Sequence, residues 1–576
     1  MIGVIENCIL RPSDTSAAPS NGLSQKCDGE QGSAAALVES TLSALAPHST
    51  AQLKKVQLGY TLPVPLLQLI RQTPAGWEVD VDTANKFART IRDNERPLIL
   101  YLFSSHFSTG APIEKILASD GDNIASTQDG RLSTGSYYGE PVYHWSTAST
   151  HNAITRWRVR TINTLVDQIC RLPPKDREKI QGITLLGETH QYFPNFESGM
   201  GFDSPYRVTD YSPRSVAGFQ SFLAQKFDSI GTLNRSVGSS YSSFSDVKPP
   251  SKDIRSEKLS GFTEHIDSFA HGSLPISGWV YVPANHAGNT SSPRIQIYLN
   301  GKFWGKTNVN IRRQDVLEAH PEMGNADTGW RVDMDYRRMP LGVHKLDIFL
   351  EAGGGGLTHL GSRRIVLMDK SQATPLEHAS SALPPRISAP SFPFHLDQPR
   401  DLYSYYYNPL VPLWLEFREK QIKDYIDFFG HLLAESCLSG VPRYAHQIFP
   451  YANPSWDSNK LSVGSSLQGS KSYLPGVSLY GDATYGTSFL SWHQRGPRRP
   501  YGITEFHPLK PLDAKAIQDV IETHRRSGAR FLSFFLEPRW EGTATPRNHN
   551  IFSFDPNNPQ FGSDVLYESV RQVISR

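Results

Sequence analysis

Apolar residues along this chain change period repeatedly, and the changes mark its elements. Before Val56 the pattern is weak. Residues 1–55 are rich in Ser, Ala, Gly and Gln and read as an N-terminal extension with one helix over Ala34–Leu45. From Val56, short apolar runs alternate with stretches of helical spacing. Asp82–Asp93 is helical in pattern and leads into RPLILYLFSSHF (Arg96–Phe107), a buried strand running into a polar loop. Asn152–Arg171 sets Ile154, Trp157, Ile162, Leu165 and Ile169 at helical spacing, and GITLLGETHQ (Gly182–Gln191) is the next strand. A further helix starts at Ser212-Pro213, a capping residue followed by proline at the first helical position. Buried strands separated by helices predict a parallel sheet.

Near Gly261 the period shifts to two. SGWVYVP, RIQIYLNGKFWG, GWRVDMDY, GVHKLDIFLEA and RRIVLMD are short alternating segments, and Asn300-Gly301 between two of them is a hairpin signal. Residues 261–370 are therefore expected as an all-β sandwich inserted into the α/β part. Residues 371–399, dense in Pro, Ser and Ala, read as a linker. From residue 400 the α/β texture resumes. Trp414–Ser439 is a long helix, VPRYAHQIFPY (Val441–Tyr451) a strand with its loop, and PYGITEFHP (Pro500–Pro508) another strand. A helix over Leu512–Gly528, a strand in ARFLSFFLEPRW (Ala529–Trp540) and a helix over Ser563–Ile574 close the chain. The expected architecture is a (β/α)8 barrel in two parts, 56–260 and 400–576, interrupted by the sandwich and its linker.

Composition narrows the function. Net charge is +2, from 58 basic and 56 acidic residues, with no acidic tail. Nothing in that balance attracts nucleic acid. The most apolar early run, Leu58–Ile70, holds Pro63 and Pro65 and falls short of the roughly 20 apolar residues a bilayer-crossing helix needs. The N-terminus MIGVIENCIL lacks the basic-then-apolar form of a signal peptide. An extracellular or periplasmic site is the leaning, with retention inside the cell left open. No C-x-x-C occurs among the four cysteines. Cys170 and Cys437 sit in apolar helix-like stretches and read as buried thiols. Cys8 and Cys27 lie in a polar segment and either pair on export or stay as free thiols. Oligomeric state is not readable.

Two carboxylates stand out by position. Glu188 ends the apolar run ITLLG, and Glu505 ends YGIT. In a (β/α)8 barrel the chemistry sits where strands end at the C-terminal face. A strand-end carboxylate alone is ordinary, since many cap the next helix. The pair gains weight from its neighbours: His190 and Tyr192 follow the first, Phe506 and His507 the second. A retaining glycosidase needs two such groups about 5–5.5 Å apart, one protonated and one ionised. No H-E-x-x-H, G-x-S-x-G, Walker A or G-x-G-x-x-G motif competes, and no cofactor or metal is called for.

These segments resemble the clan A glycoside hydrolases, most closely family 42, the β-galactosidase-like enzymes. The resemblance is carried by LLGETHQYFPNF, by Tyr211–Phe244 with Leu233-Asn234 and Tyr241-Ser242-Ser243-Phe244, by the helix PLWLEFREKQIKDYIDFFGHLL, by GVSLYGDATYG and by YGITEFHP. It implies Glu188 as general acid/base and Glu505 as nucleophile, on a carbohydrate substrate. The two are 317 residues apart, from 505 − 188, which is long for strands four and seven until the insert is removed. Clan A enzymes place Asn before the acid/base to bind the sugar 2-hydroxyl; here Gly187 stands there. Secondary substrate-binding candidates are His106, His190, Tyr444, His446, Asp482, Tyr485, His507 and Trp540, with Tyr444 and His446 placed to orient Glu505. The insert resembles Ig-like modules of bacterial surface and carbohydrate enzymes. The main alternative is a barrel that binds carbohydrate with impaired turnover, and Gly187 is the feature favouring it. A hydrolase using the same carboxylates on another bond is a third reading.

Overall fold

A computed structural model of the chain describes residues 2, 5–10, 32–46, 56–104, 110–137, 140–196, 201, 205–268, 272–283, 293–352, 356–368, 370, 376–385, 392–453, 456–537, 551–552 and 554–575. Among the described residues it is an α/β protein with two four-stranded parallel sheets, a three-stranded antiparallel sheet, a five-stranded sheet with one parallel pair, and three two-stranded antiparallel ones. In the first parallel sheet the order is Tyr60–Pro65, Leu98–Phe103, Ile180–Thr184 and Arg443–Tyr444. In the second it is Gln447–Ile448, Gly476–Tyr480, Tyr501–His507 and Ala529–Leu532. The strand expected over Val441–Tyr451 is thus split. Its first half pairs with one sheet and its second half with the other, and His446 lies at the break. The outer ends of the two sheets also meet: Thr61 Oγ1 and Ser533 Oγ are 2.8 Å apart, and Ile2 bridges Leu536 in parallel.

Tyr60–Pro65, Leu98–Phe103 and Gly476–Tyr480 are buried along nearly their whole length, as their apolar runs require, whereas Ala529–Leu532 is partly exposed. Helices cover them. Val81–Asp93 starts under the carboxylate of Asp80, which accepts from Asp82 N and Thr83 N, and Ala153–Cys170 starts under Asn152. The helix at Ser212-Pro213 runs Pro213–Lys226 with Ser212 as its cap. The long helix is Leu410–Ala434, four residues earlier at each end or more than its apolar pattern implies. One apolar cluster joins Leu62, Phe87, Leu100, Leu165, Ile183, Ile426 and Phe429. Cys170 and Cys437, expected as thiols, are joined by a disulfide with their Cα atoms 5.9 Å apart. The ends of Ala153–Cys170 and Leu410–Ala434 lie close enough to bridge, which apolar spacing alone does not reveal. Cys8 is also disulfide-bonded; Cys27 lies outside the described residues.

The period-two region forms a three-stranded sheet (Gly329–Asp335, Ser273–Val280, Phe394–Gln398) and a five-stranded one. The five run Lys302–Asn308, Arg294–Leu299, Gly342–Ala352, Gly356–Met368, Tyr403–Tyr406. Both contribute to one core, with Leu274, Ile276 and Trp330 from the first and Ile297, Ile348 and Ile365 from the second. Asn300 and Gly301 turn the expected hairpin with φ of 49° and 79°. Phe394–Gln398 and Tyr403–Tyr406 pair into these sheets although they lie beyond residue 370, in the stretch read as linker and resumed barrel. Both are short, and the Pro-rich sequence before them masks their alternation.

No helix among the described residues is long and apolar enough to cross a membrane.

Candidate active site

Three strand ends converge. In the pair Gly476–Tyr480 and Tyr501–His507, Ser478 lies beside Glu505 and Tyr480 beside His507. Positions two apart in a strand share a face, so these four side chains stand on one side of the sheet. Glu188 arrives differently. After Ile180–Thr184 and Leu185 the backbone enters the left-handed region twice, at Leu186 (φ 63°) and Gly187 (φ 81°). That turn takes the chain out of strand geometry immediately before Glu188. The left-handed conformation costs a residue such as leucine roughly 1–2 kcal/mol. Leu186 is buried, which offsets that cost. Gly187 is the residue the second position favours.

Tyr480 joins the two carboxyls. Its hydroxyl is 2.7 Å from Glu505 Oε2 and 3.1 Å from Glu188 Oε1. His446 Nε2 lies 3.2 Å from Glu505 Oε1, and His507 Nε2 lies 3.2 Å from Oε2. One oxygen or nitrogen from each of Glu188, His446 and Glu505 falls within 4.8 Å of the others. The His446 ring stacks on Tyr101 (centroids 4.6 Å, 20°) and the His507 ring on Tyr480 (5.2 Å, 21°). Glu188 is 8% exposed, whereas the Glu505 side chain keeps 21% of its surface open.

These surroundings push the two carboxyls apart. Burial, then the charge of Glu505, raises Glu188 to about 8, against hydrogen bonds from Tyr480 and Ser478. Burial alone would raise Glu505 as well. The hydrogen bonds and charges of His446 and His507 outweigh it and hold Glu505 well below the usual carboxylate range. Burial and both carboxyls keep the Tyr480 phenol well above its ordinary value, so it stays protonated.

Counting protons gives the same result. A phenol has one proton and cannot donate to two carboxylates. With Glu188 protonated, its O–H donates to the Tyr480 oxygen and Tyr480 donates to Glu505. At His507 the Nδ1 faces the Phe552 carbonyl at 2.9 Å, an acceptor only. Its Nε2 faces Glu505 Oε2, so a proton must come to that contact from one of the two partners.

The remaining sequence candidates separate. His190 is buried near this group, its ring against Tyr192 and Phe196, with Nδ1 2.7 Å from the Gln191 carbonyl. Burial lowers it to about 4. Tyr444 does not reach Glu505: its ring packs edge-on against Phe531 and lies over Gly182, because residue 444 sits two positions before the break that places His446. Asp482 and Tyr485 follow Tyr480 on the short helix Asp482–Tyr485, beside Arg312 of the β-rich region and Lys510, whose Nζ is 3.7 Å from the Tyr485 ring centroid. His106 and Trp540 lie outside the described residues. Tyr480, Ser478 and Tyr101 were missed by sequence reasoning. For Tyr480 the signal was present: it ends the apolar run GVSLY as Glu505 ends YGIT.

Two groups among the described residues bring histidine and carboxylates within reach of one cation, Glu188–His446–Glu505 and Asp253–His265–Asp267. In the second, Arg255 donates to both aspartates and already supplies the positive charge. In the first, His446 and Tyr480 occupy the carboxyl oxygens.

No protein-family model matches the chain, and no curated protein matches it. Among solved structures, the catalytic domain of β-amylase from Paenibacillus polymyxa is similar over 84% of this chain and 86% of that one, at 10% identity and a TM-score of 0.41.

Proposed function

We propose that this chain is a retaining glycoside hydrolase acting on β-linked oligo- or polysaccharide, with Glu188 as acid/base and Glu505 as nucleophile. The parallel sheets are read as one closed (β/α)8 barrel of the family 42 type, and the β-rich region as an inserted Ig-like sandwich. One observation carries the proposal: a buried carboxyl and a partly buried one with oxygens inside 4.8 Å, driven to opposite protonation states and joined by one phenolic proton. That separation suits direct attack; an inverting pair needs roughly 6.5–9.5 Å for an intervening water.

In the first step a Glu505 oxygen attacks the anomeric carbon as the glycosidic C–O bond breaks. The Glu188 proton passes to the leaving oxygen. Oε1 has one donor, His446, and Oε2 has two, so Oε1 is the freer atom for attack. In the second step Glu188, now ionised, takes a proton from water. The water oxygen bonds to the anomeric carbon and Glu505 leaves as carboxylate, restoring both groups.

The competing reading, a carbohydrate-binding barrel without turnover, rests on Gly187, which offers no side chain to the 2-hydroxyl. A panel of aryl β-glycosides and 2-deoxy-2-fluoro glycosyl fluorides separates the two. The hydrolase reading expects turnover of at least one aryl glycoside, its loss in Glu505→Gln, and a covalent sugar adduct on the peptide bearing Glu505. Sugar binding with no turnover and no adduct on any member would establish the binding reading instead.

A further inference from the structure

Helix Ala153–Cys170 carries Trp157, Arg160, Asn163 and Thr164 on one outward stripe, at helical spacing. Opposite it stands the hairpin of Ile70–Thr73 with Gly76–Val79, which presents Trp77 and Glu78. Together they line a concavity of about 440 Å³. Small-molecule sites fall at roughly 300–1,000 Å³.

Both indoles are half-buried and packed from behind against a cluster containing Ile70, Leu117 and Ile154. Their positions are therefore fixed by the core while part of each remains toward the concavity. The Arg160 guanidinium lies over the Trp157 ring at 5.0 Å. Among the described residues the side chains of Arg160 and Asn163 have no hydrogen-bond or ion-pair partner. Glu78 is already neutralised by Arg71 at 3.0 Å. The concavity thus offers aromatic surface, unspent planar donors and little net charge. Pyranose rings match that set: C–H faces for the indoles, hydroxyls for the guanidinium and amide.

The place matters as much as the chemistry. The hairpin follows the end of Tyr60–Pro65 through the turn Leu66–Leu69. The helix is tied at Arg158 to Ser104, just past the end of Leu98–Phe103. Glu188 follows the same end of Ile180–Thr184, which runs parallel to Leu98–Phe103. We infer that Trp77 and Trp157 form an auxiliary binding site for neutral pyranosyl chains, which holds polymer at the rim on the catalytic end. The inference rests on the glycosidase reading for its ligand class.

The test is native affinity electrophoresis of full-length Glu505→Gln protein in gels cast with soluble β-glucan, galactan or xylan. The site predicts retardation in at least one gel. Adding Trp77→Ala, or Arg160→Ala with Asn163→Ala, should weaken it by roughly tenfold. With Glu505 intact, the same substitutions should leave KM on p-nitrophenyl monosaccharides unchanged while raising it on the retarding polymer. Trp157 helps hold the core, so the test relies on Trp77, Arg160 and Asn163, with thermal melting to show that each variant is folded. Retardation unaltered in folded variants, or no retardation by any polymer, overturns the inference. Turnover of aryl glycosides with unaltered retardation sinks this site alone. Retardation lost with Trp77→Ala, in a chain that turns over no glycoside, supports the site and sinks the hydrolase reading.

Discussion

Removing one oxygen atom, in Tyr480→Phe, tests the coupling between the carboxyls. The ring stays, so its stack on His507 at 5.2 Å is kept, and no space opens beyond the hydroxyl. Glu505 loses one of three donors, the one at 2.7 Å. A hydrogen bond to a charged group is worth about 1.5–3 kcal/mol net. One pKa unit corresponds to about 1.36 kcal/mol. The acid limb of the pH–rate profile, set by ionisation of Glu505, should therefore move up by about one to two units. Glu188 loses the oxygen that accepts its proton, so the alkaline limb, near 8 in the wild type, should move down, by less because that contact is 3.1 Å. The two limbs belong to the pair, and their joint displacement is the measurable quantity. Loss of transition-state support of the same size predicts kcat/KM lower by about 10- to 100-fold at the wild-type optimum. The assay is kcat/KM on an activated aryl glycoside across the pH range, with stability checked at each end. Limbs that stay in place, or an acid limb that moves down, would refute the proton arrangement drawn for Tyr480.

Four further outcomes follow from the geometry. Glu188→Ala should cut hydrolysis of glycosides with poor leaving groups by about 10²–10⁴-fold, and azide should restore turnover of activated ones with retained configuration; Glu505→Ala should abolish hydrolysis of both, and any glycosyl azide it forms should have inverted configuration, as product analysis will show. Glu188→Gln should raise the melting temperature at pH 8. The folded protein holds the Glu188 proton up to about 8 while the unfolded chain loses it near 4.5, so wild-type stability falls as pH rises through that window and the glutamine variant is spared. Gly187→Asn should fold with little loss, whereas Gly187→Ala should cost about 1 kcal/mol at φ 81°, read by denaturant titration. Breaking Cys170–Cys437, which closes a separation of 267 residues, should lower stability by up to about 5 kcal/mol in the chain-entropy model, seen as a lower melting temperature with reductant.

The elements with long, clean periods were legible in sequence: Val81–Asp93, Ala153–Cys170, the Ser212-Pro213 start and the Asn300-Gly301 hairpin all lie where spacing and caps put them. What spacing does not carry is where a strand breaks. Val441–Tyr451 looks continuous, yet its halves serve different sheets, and only the break makes His446 rather than Tyr444 a partner of Glu505. Contacts between residues far apart in sequence were equally silent. The Cys170–Cys437 bridge and the Arg255 network joining Asp253 and Asp267 depend on packing that no local pattern encodes. Phe394–Gln398 and Tyr403–Tyr406 were hidden by length, since four or five residues are too few for alternation to register.

The inequality of the two carboxyls traces back to how each leaves its strand. Glu505 remains inside a strand, so the period of two sets His507 on its own face and the register sets Ser478 and Tyr480 across from that pair. Donors accumulate around it as a consequence of regular geometry, and His446 adds one more from the neighbouring break. Glu188 stands beyond a left-handed turn, outside any ladder, where burial is high and donors are few. A carboxyl surrounded by donors is stabilised as the anion; a carboxyl buried beside that anion keeps its proton. Leu186-Gly187 therefore matters to the chemistry through backbone conformation alone, and Gly187 is the residue that this conformation selects.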